Sequence, residues 1–187
     1  MADSNITKRA LANALKELMR EQPFAKISIS DICDRCDMNR KSFYYHFKDK
    51  YDLFNWCFDT EFIECVNLRC GQSGLDERWE LMEQACAYFY ENREIYRNAL
   101  KVKGQNCFSD HLREFCFPIL KVRIAELTGT ETIDDFAANF FTDAVLCAIV
   151  RWLTDKNCMA AAEFTDRLKY MILSGAAYIY EKTNEAK

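Results

Sequence analysis

Hydrophobic positions recur every three or four residues through most of this 187-residue chain. Such spacing is typical of amphipathic helices, whereas strict alternation would indicate strands. In the first periodic segment, Leu11, Leu15 and Leu18 share one helix face, and Pro23 follows shortly after as a stop signal. Five glycines and two prolines leave little turn chemistry for a β fold. The pattern therefore predicts an all-α protein.

Residues that can cap a helix N-terminus occur three times early in the chain. They are Ser28, Asn39 and Asp49. Ser28 is followed by Asp31 at the spacing of a capping box, in which each residue satisfies a free amide of the other. The predicted helices extend over about 28–36, 40–47 and 49–68. The first two, joined by a tight turn, form a helix-turn-helix, a motif whose second helix lies in the major groove of DNA.

A linker is predicted at residues 70–74, which read CGQSG. Beyond it, the periodicity predicts helices at about 76–91, 93–102, 108–127, 132–154 and 160–182. We therefore predict three parts. They are a helix-turn-helix DNA-binding domain over 1–50, a connecting helix over 51–70, and a larger helical domain over 71–187.

The last two predicted helices are apolar around most of their circumference, which requires burial on several sides. One interpretation is that they form the core of the chain itself. The other is that they also pair with a second copy as a four-helix bundle. The sequence favours neither. The residues predicted for such an interface are Phe141, Val145, Trp152, Leu168, Ile172, Gly175 and Ile179.

Charge is unevenly distributed along the chain. The formal net charge is −4, yet the first 50 residues carry ten Lys and Arg against seven Asp and Glu. A basic region in an acidic chain is expected where one part meets phosphate and the rest does not. The pattern argues against indiscriminate nucleic-acid binding by the whole chain.

The sequence lacks both a long apolar run and the basic and apolar regions of a secretory signal at its start. We therefore expect a cytoplasmic protein with no membrane partner. Its ten cysteines would be reduced thiols, most of them packed in the core.

Metal and enzyme chemistry find little support. Cys33 and Cys36 form a C-x-x-C pair, but a zinc site needs about four ligands and a redox motif needs a βαβ context. The chain has two histidines and no metalloprotease, phosphate-loop or dinucleotide motif. We predict no metal, no cofactor and no catalytic residue.

The predicted helix at 40–47 has a distinctive outer face once Phe43 packs inward. That face carries Arg40, Lys41, Ser42, Tyr44, Tyr45 and His46. Arg and Lys reach guanine acceptors in a major groove about 12 Å wide, and hydroxyl groups suit phosphate oxygens. The alternative is an exposed polar helix packed by its aromatics, which accounts poorly for two adjacent tyrosines and a histidine.

Residues 42–47 read SFYYHF, with Lys50 three positions later and a Pro-Phe pair at 23–24. This pattern resembles the DNA-binding domain of TetR-family regulators, and the likeness covers about the first 65 residues. It implies a transcriptional regulator that binds a palindromic double-stranded DNA operator as a homodimer, with 71–187 as the effector-binding and dimerisation domain. One position departs from the family pattern. Asp37 stands in the turn where the family usually has glycine, although Asp tolerates a left-handed conformation better than most residues.

The resemblance also implies roles for individual side chains. The start of the second helix is expected to read bases, while its tyrosines and histidine, with Lys50, are expected to hold phosphates. The full predicted DNA-binding set is Ser28, Asn39, Arg40, Lys41, Ser42, Tyr44, Tyr45, His46 and Lys50.

The controlling signal has two candidate sources. A small-molecule effector is one expectation. The other arises because residues 88–93 and 96–100 resemble a subgroup that includes regulators of dihydroxyacetone kinase operons, in which control can pass through a protein co-regulator. An interaction adaptor without an effector pocket is a further alternative. The sequence determines neither the operator nor whether the protein represses or activates.

Aromatic side chains are concentrated in residues 76–127, where they either line an effector pocket or fill the core. Pro118 is expected to interrupt the 108–127 helix and open a gap beside them. The predicted pocket residues are Tyr88, Phe89, Tyr96, Phe108, His111 and Phe115.

Overall fold

The computed structural model describes residues 2–69, 77–104 and 107–185. Within those ranges the chain forms nine α-helices, one 3-10 turn and no strand, which confirms the all-α prediction. The elements are α1 (Ala2–Glu21), the 3-10 turn (Phe24–Lys26), α2 (Ile29–Arg35), α3 (Arg40–His46), α4 (Lys50–Arg69), α5 (Glu77–Glu91), α6 (Arg93–Leu100), α7 (Phe108–Leu127), α8 (Asp135–Thr154) and α9 (Ala161–Glu185). The predicted linker at 70–74 lies outside the described residues.

The chain divides into two compact units, and the division differs from the predicted boundaries. The first unit contains Met1–Gly71 and also Asn92–Ser109; the second contains Gln72–Glu91 and Asp110–Lys187. Residues 92–109 therefore belong with the helix-turn-helix rather than with the C-terminal part. The physical reason is aromatic burial: Tyr96 and Phe108 lie 6.0 and 5.1 Å from the ring of Phe54 on α4.

The turn between α2 and α3 satisfies the carbonyls at the end of α2 with two backbone hydrogen bonds. Met38 N–H donates to Cys33 O at 2.9 Å, and Asp37 N–H donates to Asp34 O at 3.5 Å. This is the Schellman pattern, which requires the residue after the C-cap to be left-handed. Asp37 occupies that position with φ 53°. The turn thus explains why glycine is favoured there and why an Asp carries some strain.

In the second unit, α9 packs against both α5 and α8. The rings of Trp152 and Phe164 stack with their centroids 4.1 Å apart, and the Trp152 indole N–H donates to Met159 O at 2.9 Å. Helix α7 continues through Pro118 as one helix, so the prediction that Pro118 interrupts it is wrong. Polar contacts join α7 to α8, including the ion pair of Arg113 with Asp143 at 2.9 Å.

Helix α8 is long and apolar enough, by length and composition alone, to cross a membrane. Its apolar residues are accounted for by the core of the second unit, where Val145, Ile149 and Trp152 are buried. One such helix is weak evidence for a membrane span, because the core helix of a globular protein passes the same test.

The core of this second unit also contains most of the predicted dimer interface. The residues buried there are Phe141, Val145, Trp152, Leu168 and Ile172. Gly175 faces the ring of Phe141, which a Cβ at that position would approach to 3.1 Å, and Ile179 is half-buried. These positions therefore fit the first interpretation of the pattern, a core within one chain, and the surface of α8 and α9 is formed by other residues.

Substituting Asp37 tests the origin of the turn. We expect Asp37→Gly to raise the free energy of unfolding by up to about 1 kcal/mol, because glycine has no Cβ to strain a left-handed residue. Asp37→Val should lower it by about 1–2 kcal/mol. Chemical denaturation provides the measurement. Asp34→Gly, in the right-handed last turn of α2, is the matched control and should lose about 1 kcal/mol. A stabilisation by both glycines would contradict the explanation.

Candidate nucleic-acid interface

The orientation of α3 is determined by two phenylalanines on its inner side. Phe43 is fully buried and Phe47 is 4% exposed. Their ring centroids are 6.0 Å apart, and Phe47 lies 5.7 Å from Trp56 on α4. Because a seven-residue helix is unstable by itself, these contacts hold α3 to the unit. They also determine which of its side chains face solvent.

The outer face of α3 is cationic and aromatic, as predicted. Arg40 and Lys41 are exposed, Tyr44 is 53% exposed and Tyr45 is 83% exposed. The Tyr45 ring contacts the half-buried His46 edge to face, with centroids 4.9 Å apart. Large aromatics this exposed have little packing role. The predicted residues from position 40 to 46 are therefore brought together on one surface, with Ser42 half-buried among them.

Two predicted site residues have a capping role. Ser28 Oγ accepts from Asp31 N–H at 3.2 Å, and Asp31 Oδ2 accepts from Ser28 N–H at 2.8 Å, which confirms the capping box. Asn39 Oδ1 accepts from Ser42 N–H at 2.8 Å at the start of α3. Both caps lie at helix N-termini, where free amides and the helix dipole favour an anion.

Lys50 is placed differently from its predicted role. Its ammonium donates to three backbone carbonyls, those of Phe24, Ala25 and Ile27, at 2.8, 3.0 and 2.7 Å. An ammonium has three donors, so these bonds leave none for a phosphate. Burial lowers the pKa of Lys50. The prediction that Lys50 holds a phosphate is corrected accordingly: the lysine links α4 to the segment before α2.

Sequence reasoning missed Lys48, an exposed cation two residues after His46. Its backbone N–H donates to Asp52 Oδ2 at 2.9 Å, which fixes the backbone between α3 and α4 while the side chain remains exposed. Its position directly after SFYYHF could have identified it in the sequence, but the family pattern pointed to Lys50 instead.

The C-x-x-C pair lies in the packed end of α2. Cys33 is fully buried, and the Cys36 thiol donates to Ile32 O at 3.2 Å. Burial raises the pKa of both thiols, which keeps them protonated and weakens them as metal ligands. Among the described residues, no group of three or more His, Cys, Asp or Glu could hold a metal ion.

The predicted effector residues are divided between the units. Tyr96 and Phe108 are buried in the first unit, with ring centroids 5.3 Å apart, where they fill the core. Tyr88 and Phe89 are buried in the second unit, which also contains the half-buried His111 and Phe115.

A cleft of about 440 Å³ lies elsewhere in the second unit, at the end of α8. Its lining residues are Ala144, Cys147, Ala148, Arg151, Trp152, Asp155, Asn157, Cys158, Met159 and Phe164. None of the six predicted pocket residues is among them. The prediction of an effector pocket at those six remains a prediction.

A helix-turn-helix whose second helix is exposed, cationic and aromatic is typical of a DNA-binding domain. Comparison with protein families agrees. A family model described as "Bacterial regulatory proteins, tetR family" matches residues 11–57, and one described as "Transcriptional regulator C-terminal region" matches 77–174, just over half of the chain. The chain belongs to the TetR family of transcriptional regulators, and is not an enzyme.

Two curated relatives match part of the chain. The first is DhaS of Lactococcus lactis subsp. lactis (strain IL1403), an HTH-type dhaKLM operon transcriptional activator, 31% identical over 97 residues. The second is the transposon Tn10 TetC protein of Escherichia coli, 24% identical over 85 residues. These alignments cover 52% and 46% of this chain, and 50% and 43% of the relatives. The chain therefore spans about half the length of the curated relatives it matches.

Solved structures share the fold over nearly the whole chain. A TetR transcriptional regulator from Streptococcus agalactiae 2603V has a TM-score of 0.70 at 19% identity, covering 91% of this chain and 96% of its own. The dihydroxyacetone kinase operon activator DhaS has a TM-score of 0.63 at 18% identity, covering 92% and 97%. RolR, solved with resorcinol, has a TM-score of 0.59 at 17% identity, covering 96% and 95%.

The capping box makes stability depend on pH. Hydrogen bonds from the backbone and side chain of Ser28 lower the pKa of Asp31. The ionised carboxylate therefore stabilises the fold above its unfolded pKa, about 4, and this contribution is lost as pH falls through the lower folded pKa. We expect Asp31→Asn to lower Tm at pH 7, and the difference from wild type to shrink below about pH 4. Thermal melts between pH 7 and 3 measure this, with Asp34→Asn as the control. A difference that is constant across this range would exclude the carboxylate as its source.

Proposed function

We propose that this TetR-family regulator binds an operator in double-stranded DNA through α3, which enters the major groove. The observation that carries the proposal is the outward face of α3, where Arg40, Lys41, Tyr44 and Tyr45 are exposed beside buried Phe43. The described structure gives Arg40 and Lys41 no ion pair within 4 Å. Both cations are therefore available to an external anion or base edge.

The exposed side chains differ in what they can recognise. Arg40 and Lys41, in the first turn of α3, suit guanine acceptors in the groove. Tyr44, Tyr45 and Lys48 suit phosphate oxygens, which fix the register of the protein but carry no sequence information. Four further residues complete the proposed surface: the N-caps Ser28 and Asn39, and the half-buried Ser42 and His46. Lys48 takes the phosphate role first predicted for Lys50.

We further propose that the regulator acts as a homodimer formed by α8 and α9, so that two α3 helices read a palindromic operator. Each of these helices leaves large apolar side chains exposed at spacings that put them on one face: Phe136 and Phe140 on α8 are four residues apart, and Met171 and Tyr178 on α9 are seven apart. The most exposed members are Phe136, Phe140, Tyr170, Met171 and Tyr178, each at least 61% exposed. Ala177, which is small and exposed on α9, permits close approach of another helix. A second copy is the proposed occupant because TetR-family regulators are usually dimers.

The signal is proposed to be a small molecule bound within the second unit. The predicted residues that remain candidates are Tyr88, Phe89, His111 and Phe115, since Tyr96 and Phe108 fill the core of the first unit. A second candidate site is the cleft of about 440 Å³ beside Trp152, which has a volume typical of ligand sites and is lined by none of these four residues. RolR was solved with the ligand resorcinol, which supports the same class of signal. A protein co-regulator is the alternative, and the compartment in either case is the cytoplasm.

Electrophoretic shift with genomic fragments, followed by variants of α3, tests DNA binding. We expect Arg40→Ala to cost about 1–3 kcal/mol on the operator and to relax its sequence preference, because a base contact is lost. Lys48→Ala should weaken binding to all sequences alike and reduce the salt dependence by about one counterion.

Arg167→Ala is the matched control, since it removes one exposed cation from α9. It should leave both the affinity and the sequence preference at the wild-type level. Binding that is equally insensitive to all three substitutions would exclude α3 as the DNA-contacting helix.

Sedimentation velocity at about 10 μM tests the dimer. We expect Phe140→Glu and Met171→Glu to produce monomers that keep their fold, because an unpaired carboxylate buried at an interface costs several kcal/mol. Val122→Glu, on α7, is the control: Val122 is 61% exposed, comparable to Phe140, and lies outside the proposed interface. Monomeric wild-type protein, or dimers in all three variants, would rule out this interface.

A further inference from the structure

The backbone between α1 and α2 turns a corner at Phe24, and a side chain from α6 completes its hydrogen bonds. Pro23 has no N–H, so the Met19 carbonyl four residues earlier lacks a helical partner. Asn98 Nδ2 donates to Met19 O and to Gln22 O, each at 2.8 Å. Its Oδ1 accepts from Phe24 N–H, also at 2.8 Å. One amide therefore satisfies three backbone groups at the end of α1.

Phe24 is held on its other side by α4. The Lys50 ammonium donates to the carbonyls of Phe24 and Ile27 at 2.8 and 2.7 Å. Ile27 immediately precedes Ser28, the N-cap of α2. The peptide groups of Phe24 are thus fixed by α6 through the N–H and by α4 through the carbonyl. The ring of Phe24 is 1% exposed, so the corner has little freedom to move independently.

Helix α6 reaches this corner from a different part of the chain. The segment Asn92–Ser109 belongs to the first unit, while the residues before it and after it belong to the second. Asn98 is therefore 79 residues from Met19 in sequence, and its helix is connected to the second unit at both ends.

We propose that Asn98 is a positioning residue for DNA binding. Its amide fixes the corner between α1 and α2 to α6, and thereby sets the direction in which α3 is presented. Because α2 starts five residues after Phe24 and packs against α3, a shift of the corner is passed to the proposed recognition helix. The inference rests on the DNA-binding function proposed above.

The chemistry of the site requires an amide. Asn98 donates twice and accepts once, which matches two carbonyls and one N–H. An Asp at this position keeps the acceptor but sets a negative charge against the carbonyls of Met19 and Gln22. An Ala leaves all three groups without a protein partner.

The test compares Asn98→Ala and Asn98→Asp with Ala99→Gly in the full-length protein. Ala99 is buried on the same helix, and its change to glycine weakens α6 without removing a bond of Asn98. Three properties are measured: Tm, affinity for the operator well below Tm, and affinity for operators whose half-sites are moved apart by one or two base pairs. Hydrogen exchange at the Phe24 amide reports the corner directly.

We expect both Asn98 variants to lose at least tenfold in operator affinity and to discriminate less between half-site spacings, with faster exchange at Phe24. Ala99→Gly should keep the wild-type affinity and spacing preference even if its Tm falls by as much as that of the Asn98 variants. Equal DNA binding by the Asn98 and Ala99 variants would overturn the inference alone. A wild-type protein that binds no fragment specifically would overturn the proposed function, and this inference with it.

Discussion

The burial of Phe43 is the contact on which the proposed recognition surface depends. A seven-residue helix does not persist by itself, so α3 exists because Phe43 and Phe47 are removed from water against the first unit. Burying one such side chain contributes about 1.5–3 kcal/mol. Once Phe43 is inside, the helical period leaves Arg40, Lys41, Tyr44 and Tyr45 outside. The same residue that stabilises the helix therefore determines which side of α3 faces solvent.

Around that contact, tertiary hydrogen bonds and a left-handed residue fix the backbone at both ends of α2. The left-handed residue Asp37 ends α2 and directs the chain into α3. At the other end of α2, Lys50 and Asn98 hold the corner at Phe24 from two helices. Because Asn98 comes from α6, the geometry of the helix-turn-helix depends on a segment far along the sequence.

Local features of this chain were predictable from sequence, and features that depend on tertiary contacts were not. The capping box of Ser28 and Asp31 spans three residues, so its spacing alone identified the start of α2. The family pattern identified the outer face of α3 but also assigned Lys50 to a phosphate. The carbonyls that Lys50 contacts lie 23 to 26 residues away in sequence, so no local pattern could predict those contacts. The role of Asn98 could not be predicted for the same reason, because its partners lie 74 to 79 residues away in sequence. Helices α8 and α9 are apolar on several sides, so periodicity could not separate core positions from exposed ones.

Hydrogen–deuterium exchange of the full-length protein, with and without its operator, tests the central claim that α3 is the surface that meets DNA. The account predicts that operator binding slows exchange in peptides covering residues 26–48, with the largest effect over α3. It predicts a smaller effect over residues 92–100, which hold the corner at Phe24. Unchanged exchange over residues 26–48, with protection confined to α7, α8 or α9, would contradict the account.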